Sequence, residues 1–211
     1  MDEMREIGTA DSAAIGGEDI ILASRLAGGD AAALTQIVRK WEAPLGRYLS
    51  RFCGTCGGER EDILQGVFLR VYRRIHLYDP RLPFSAWIYR ICRNEAISRH
   101  RGRRFAESTE LSEDVSISLW GTMAALPDAP LCGSEIASQI REIVEAMPDK
   151  LREPFVLRFF EERSYAEIGD ILEENGNTVA TRIRRARELF VRKAVGRGLA
   201  EGREFRMGRE S

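Results

Sequence analysis

The stretch 61–104, EDILQGVFLRVYRRIHLYDPRLPFSAWIYRICRNEAISRHRGRR, decides the fold. It reads as two helices joined by a loop that contains prolines. In the first, starting near Asp62, Ile63, Val67, Val71 and Ile75 recur every four residues and make an apolar stripe. Asp62, Gln65 and Leu69 share a second face, spaced i, i+3, i+7. A solvated helix face would carry Lys, Glu or Arg there rather than a short carboxylate, an amide and a leucine. The second helix begins after Pro83 and directs Phe84, Trp87, Ile88 and Ile91 toward a core. It then turns basic: residues 81–104 hold seven Arg against one Glu, a local charge of +6. Aromatic rings at one end and guanidiniums at the other suit nucleic acid, rings for bases and cations for phosphates.

Working outward, the N-terminal side predicts two more helices. Ile20, Leu22, Ala23 and Leu26 form one stripe. Leu34, Ile37, Val38, Trp41, Leu45, Leu49 and Phe52 form the next. Gly28-Gly29-Asp30 breaks them, Asp30 can cap the second, and Pro44 can kink or split it. Residues 1–17 are acidic, small and Gly/Ala-rich, and read as a flexible tail. Residues 53–58, CGTCGG, place two cysteines in a glycine-rich loop. No second CxxC supplies the other ligands of a zinc site, and His76 and His100 lie elsewhere. Loop thiols are the simpler reading, and no metal or cofactor is expected. Cys92 reads as a small core residue.

Beyond Arg104 the composition shifts. Residues 105–133 are acidic and rich in Ser, Pro and Gly, as a linker would be, and 105–149 carry −8. Leu119, Trp120 and Leu126 suggest that part of it packs locally. Residues 134–195 regain helical periodicity. Ile136, Ile140, Ile143, Val144 and Met147 make one stripe; Pro148 ends it, and Asp149 can cap the next helix. Pro154 within that next helix obscures its start. Ser164-Tyr165-Ala166-Glu167 is a capping box ahead of Ile168, Ile171 and Leu172. Gly169 is small enough for a close helix crossing. After the turn Glu173–Gly176, Asn177 or Thr178 opens a last helix. Val179, Ile183, Ala186 and Phe190 form its inner side; Thr178, Thr181, Arg184, Arg185 and Arg192 form its outer side, with Arg182 at the edge. This is helix–short turn–helix with a basic outer face. Residues 196–211 lack apolar periodicity and read as a second flexible tail.

The expected fold is therefore all-α: two small helical domains joined by the acidic linker. With 211 residues and 44% hydrophobic content, real cores can form. The net charge of −1 says nothing of nucleic acid; the segregation of charge does. No apolar run reaches membrane-spanning length and no secretory leader is apparent, so a cytoplasmic location is expected. Acidic residues are dispersed and both histidines lie among arginines, so no catalytic cluster is expected and an enzyme is disfavoured.

EDILQGVFLRVYRRI with FSAWIYRICRNEAISRHR resembles region 2 of the bacterial sigma factors, the promoter-recognition subunits of RNA polymerase. SYAEIGDILEENGNTVATRIRRARELF resembles their region 4, and the compact size resembles the extracytoplasmic-function group. The resemblance implies boundaries of 18–104 for region 2 and 134–195 for region 4. It implies that Asp62, Gln65 and Leu69 bind core RNA polymerase. It implies that Asn94 and the 77–84 loop hold a base extruded from the minus-ten element. Arg93, Arg99, Arg101, Arg103 and Arg104 would then follow phosphates. Thr178, Thr181, Arg182, Arg184 and Arg185 would face the minus-thirty-five element. Promoter DNA and an anti-sigma factor are the other implied partners. Primary sigma factors carry an adjacent aromatic pair where this chain has Trp87 alone, which implies weaker melting; the apolar stripe assigns Trp87 to the core. The family's turn usually holds Gly where Glu173 stands. A free-standing helix-turn-helix regulator is the alternative, but it would have no need of the Asp62/Gln65/Leu69 face.

Overall fold

The structure, a computed structural model, describes residues 7–52, 59–107 and 135–199, with side chains for 17–51, 59–99 and 135–199. Among these residues there are eight α-helices, one 3₁₀ turn and no strand. The first four helices are α1 (Ile7–Ala27), α2 (Ala31–Phe52), α3 (Arg60–Arg74) and α4 (Phe84–Glu107). The second four are α5 (Glu135–Glu145), α6 (Asp149–Phe159), α7 (Tyr165–Leu172) and α8 (Gly176–Gly196).

In the first module the stripes meet as their spacing predicts. Ile63, Val67, Val71 and Ile75 of the α3 stripe are buried against Ile37, Leu45 and Leu49 of α2 and Ile88 of α4. An aromatic cluster closes the other end, with Tyr78–Phe84 and Tyr78–Trp87 centroids both 5.3 Å apart. Trp87 is 9% exposed, a core residue as its stripe predicts. Asp30 caps α2, accepting from the Ala32 amide at 2.9 Å. Pro44 neither splits nor ends α2, which runs unbroken through it. Trp41 donates its indole N–H to the buried Asp19 at 3.3 Å, and Lys40 pairs with Asp19 at 2.7 Å, so α1 is tied to α2 by a satisfied carboxylate.

Two boundaries differ from expectation. Helix α1 begins at Ile7, inside the segment read as a tail; Ala10, Ala13 and Ala14 favour helix strongly enough to carry it across Gly16-Gly17. Helix α4 continues to Glu107, three residues into the expected linker, because residues 103–107 contain no Pro or Gly to stop it. The remainder of the linker, with Leu119, Trp120 and Leu126, lies outside the described residues, as do Cys53, Cys56 and the C-terminal tail beyond 199.

In the second module Ile143, Met147, Phe155, Leu157, Ile168, Ile171, Val179, Ile183 and Phe190 are buried together. Phe155 and Phe190 stack at 5.2 Å. Pro148, not Asp149, occupies the cap of α6; Asp149 is its first residue and pairs with Arg152 at 3.6 Å. The Ser164/Glu167 capping box forms in full. Helix α8 starts earlier than expected, at Gly176, because Asn175 accepts from the Thr178 amide at 2.9 Å and takes the cap. Gly169 is required by its own turn rather than by a crossing helix: a Cβ there would stand 2.9 Å from the Glu174 carbonyl oxygen. Glu173 adopts the left-handed conformation, φ 58° and ψ 43°.

The modules touch. Helices α2 and α4 of the first pack on α6 and α7 of the second.

Candidate nucleic-acid interface

The candidate residues fall on two surfaces and one internal contact. The first surface is the outer side of α8. The inner stripe is buried, which forces Thr181, Arg184 and Arg185 outward; all three are exposed, while Thr178 and Arg182 are half-buried. Asn175, Asn177, Thr178, Thr181, Arg182 and Arg185 line one shallow depression at the start of the helix. There the backbone N–H groups and the positive end of the helix dipole add to the arginine charge. Thr181 donates its hydroxyl to the Asn177 carbonyl at 2.8 Å. Arg182 donates to Glu174 at 2.5 Å, so the edge arginine is oriented by the turn. Arg184 pairs with Glu188 at 3.5 Å along the same helix. Arg185 is exposed, and none of the described acidic side chains pairs with it.

The second surface is the outer side of α3. Asp62, Gln65 and Leu69 are all exposed, Leu69 at 56%. Tyr72 extends the same face one turn further and is 55% exposed, an aromatic member that the spacing i, i+3, i+7, i+10 contained and the sequence reading passed over. A leucine and a tyrosine exposed side by side, with an amide and a carboxylate at one end, suit a protein partner rather than a polyanion.

Helix α4 is more engaged than its sequence suggested. Asn94 is exposed. Arg99 reaches Asp62 at 3.6 Å and Glu95 at 3.7 Å. Arg93 is not free: its Nε donates to Glu153 of α6 at 2.8 Å. Arg101, Arg103 and Arg104 lie on the same helix, and their side chains are outside the described residues. In the loop before α4, Asp79 accepts from Arg81, whose guanidinium holds the carboxyl down at about 2. Tyr78 donates to the Leu82 carbonyl at 2.7 Å. The 77–84 loop is thus shaped by its own polar groups, leaving Leu77 and Leu82 exposed.

The contact between modules was missed by the sequence reading. Two carboxylates at α6 and its end each collect one donor from α2 and one from α4. Glu153 accepts from Tyr48 at 3.0 Å and from Arg93 at 2.8 Å. Glu161 accepts from Arg51 at 2.9 Å and from Tyr89 at 2.8 Å. Glu167 of the capping box also accepts from Ser85, at the start of α4, at 2.5 Å. Burial pushes the Glu153 carboxyl up, against the opposing pull of Arg93 and Tyr48. Burial likewise pushes the Tyr48 and Tyr89 hydroxyls up, with Glu153 and Glu161 adding to it. The available signal was Glu153 inside LREPFVLRFF, a carboxylate in an apolar run.

Comparison with known proteins agrees with this anatomy. The sigma-70 region 2 family matches residues 37–106 and the sigma-70 region 4 family matches residues 137–190. The chain is 33% identical to the ECF RNA polymerase sigma factor SigW of Bacillus subtilis, over 76% of this chain and 88% of that protein. It is 30% identical to the RNA polymerase sigma-H factor of Pseudomonas aeruginosa, over 81% and 91% respectively. Among solved structures, CnrH in complex with the cytosolic domain of CnrY shares the fold with a TM-score of 0.61 at 23% identity, covering 86% of this chain and 99% of that one. The sigma factor RpoE in complex with the anti-sigma factor NepR from Bartonella quintana also gives 0.61, at 19% identity, covering 76% and 96%. With both regions matched in order and curated relatives covered nearly end to end, the chain belongs to the extracytoplasmic-function group of the sigma-70 family, the sigma factors that direct transcription initiation.

Proposed function

We propose that this sigma factor divides its work between the two exposed faces and α4. The outer side of α3 docks on core RNA polymerase: Asp62 pairs with a cation of the enzyme, Gln65 bonds to its polar groups, and Leu69 fills a shallow pocket. The outer side of α8 enters the major groove at the minus-thirty-five element, with Thr178, Thr181, Arg182 and Arg185 toward base edges and Arg184 toward phosphate. Helix α4 and the 77–84 loop open the minus-ten element. Asn94 holds an extruded base there, and Arg93, Arg99, Arg101, Arg103 and Arg104 follow the backbone. Extrusion costs a few kcal/mol, which contacts in the loop offset. Because Trp87 belongs to the core, melting relies on the loop and on Asn94, and promoter demands are correspondingly strict. Among the described residues no helix is long and apolar enough to cross a membrane. The sigma factor RpoE of Bartonella quintana is in complex with an anti-sigma factor, and this chain is a fitting target for one.

The observation that carries the reading is the exposed Arg185, with which none of the described acidic side chains pairs, beside Thr181 on a helix whose opposite stripe is buried. Arg185→Ala in the holoenzyme is expected to weaken binding at the minus-thirty-five element by about 1–3 kcal/mol and to relax base preference there. If Arg185 holds phosphate only, the loss is uniform across sequences with a smaller salt slope. Unchanged promoter binding in both respects would remove α8 from the interface.

A further inference from the structure

We propose that Glu174, in the turn ahead of α8, is a positioning residue for base reading: it fixes the Arg182 guanidinium so that its free edge meets guanine rather than phosphate, a role that rests on the placement of α8 in the major groove above. The Glu174 backbone is held against α7. Its amide donates to the Gly169 carbonyl at 2.9 Å, and its own carbonyl oxygen lies 2.9 Å from where a Cβ at 169 would stand. From that fixed base the side chain crosses to α8, where Oε1 accepts from the Arg182 Nη1 at 2.5 Å. The Arg182 and Glu174 side chains are 28% and 25% exposed, so the pair is partly withdrawn from water. The other carboxylate oxygen, Oε2, is buried and meets no donor among the described residues. A buried acceptor without a donor costs stability. An apolar side chain of the same length would fill this place without that cost, so stability does not account for a carboxylate here.

Its effect on Arg182 does. Arg182 lines the depression at the start of α8 with Thr178, Thr181 and Arg185. An unheld arginine on a helix surface samples many rotamers and loses that freedom on binding. Arg182 has lost it in the folded chain, so less is left to lose against DNA. With Nη1 engaged by Glu174, the guanidinium plane is set and the Nε–Nη2 edge remains to donate. Two donors at fixed spacing match the O6 and N7 acceptors that guanine presents in the major groove. The carboxylate also repels the phosphates that would draw the arginine off a base edge. Arg184 is the contrast on the same helix. Its partner Glu188 is one turn away, and both side chains are about two-thirds exposed, so that pair fixes little.

The test uses holoenzyme reconstituted from core polymerase and the full chain. On a promoter mapped with wild type, each base pair of the minus-thirty-five element is replaced in turn and competitive binding is measured. Arg182→Ala should flatten discrimination at a G·C pair. Glu174→Met should reduce discrimination at that same pair about tenfold and leave the other positions as in wild type. Glu174→Gln keeps an acceptor for Arg182 and should fall between the two. E174M combined with R182A should discriminate no worse than R182A alone, because Glu174 acts through Arg182. Binding of E174M holoenzyme to duplex of mixed sequence should equal or exceed wild type, since one negative charge is gone from the interface. The denaturation midpoint of the free E174M chain should be no lower than wild type, an outcome that a merely structural carboxylate would not give. E174M that discriminates like wild type, while R182A does not, would overturn the positioning role and leave Arg182 as a base reader. An additive loss in the double variant, or an E174M chain of clearly lower stability, would likewise overturn it. R182A that discriminates like wild type would instead remove Arg182 from the base edges, and the role of Glu174 would fall with that assignment.

Discussion

Asp62 of α3 and Arg99 of α4 lie against each other on the surface of the first module. The Arg99 Nη1 stands 3.6 Å from the Asp62 carboxylate, and its Nη2 donates to the Asp62 backbone carbonyl at 3.4 Å. Both side chains are about half exposed, so the pair is worth at most about 1 kcal/mol. Asp62 can therefore exchange Arg99 for a cation of a partner at little loss, while Glu95 retains the arginine. A residue read as facing polymerase and one read as facing DNA are thus neighbours in space.

The turn ahead of α8 leaves no room for a methyl group at Gly169. A Cβ would approach the Glu174 carbonyl oxygen to 2.9 Å, and the neighbouring atom is backbone, which cannot swing aside. Gly169→Ala is expected to cost about 1–3 kcal/mol by forcing the turn apart, despite alanine's better helix propensity. Chemical denaturation measures it; a neutral or stabilising effect would show that the turn yields freely.

Glu173 presents the reverse case. Its φ of 58° suits glycine, and the left-handed region costs a side-chain-bearing residue about 1 kcal/mol or more. Glu173→Gly is expected to stabilise the chain by up to about 1 kcal/mol, less the extra entropy glycine brings to the unfolded state. A fall in denaturation midpoint would mean that the Glu173 side chain contributes contacts that offset its backbone strain.

The buried hydroxyls of Tyr48 and Tyr89 predict an alkaline transition. Both are pushed above the ordinary phenol value, by burial first and by their carboxylate partners second. A group whose folded value is raised contributes stability that is complete below its unfolded value, about pH 10, and is lost as pH rises beyond it. Tyrosinate absorbance from these two residues should therefore appear only together with loss of the contact between modules, above about pH 10. Tyr48→Phe and Tyr89→Phe should remove that late component. Its appearance below pH 10, with the modules still joined, would contradict the burial of the two hydroxyls.

Much of the fold was legible because it rests on local rules. The α3 stripe from Ile63 to Ile75, the α8 stripe from Val179 to Phe190, the capping box at Ser164 and the cap at Asp30 each follow from spacing within one helix. Helix ends were less legible. Alanine content extended α1 across two glycines, and Asn175 outcompeted Asn177 and Thr178 for the α8 cap. Arginine counting found the basic length of α4 but not its state, because whether Arg93 is free depends on Glu153, distant by 60 positions in the chain. Nothing local in the sequence encodes that pairing, and the same holds for Tyr48 with Glu153 and Tyr89 with Glu161.

Polymerase binding is assigned to the outer face of α3. Asp62→Ala with Gln65→Ala removes two exposed side chains and no core contact, so the melting temperature should remain within a few degrees of wild type. Reconstituted with core polymerase on genomic fragments of the source organism, wild type should give transcripts with defined start points. The double variant should neither be retained by the polymerase nor start transcription, since anchors of this kind typically cost more than about 1–2 kcal/mol each when lost. Full retention and normal start points from a well-folded double variant would contradict the assignment of this face, and no defined start points from wild type would contradict the account as a whole.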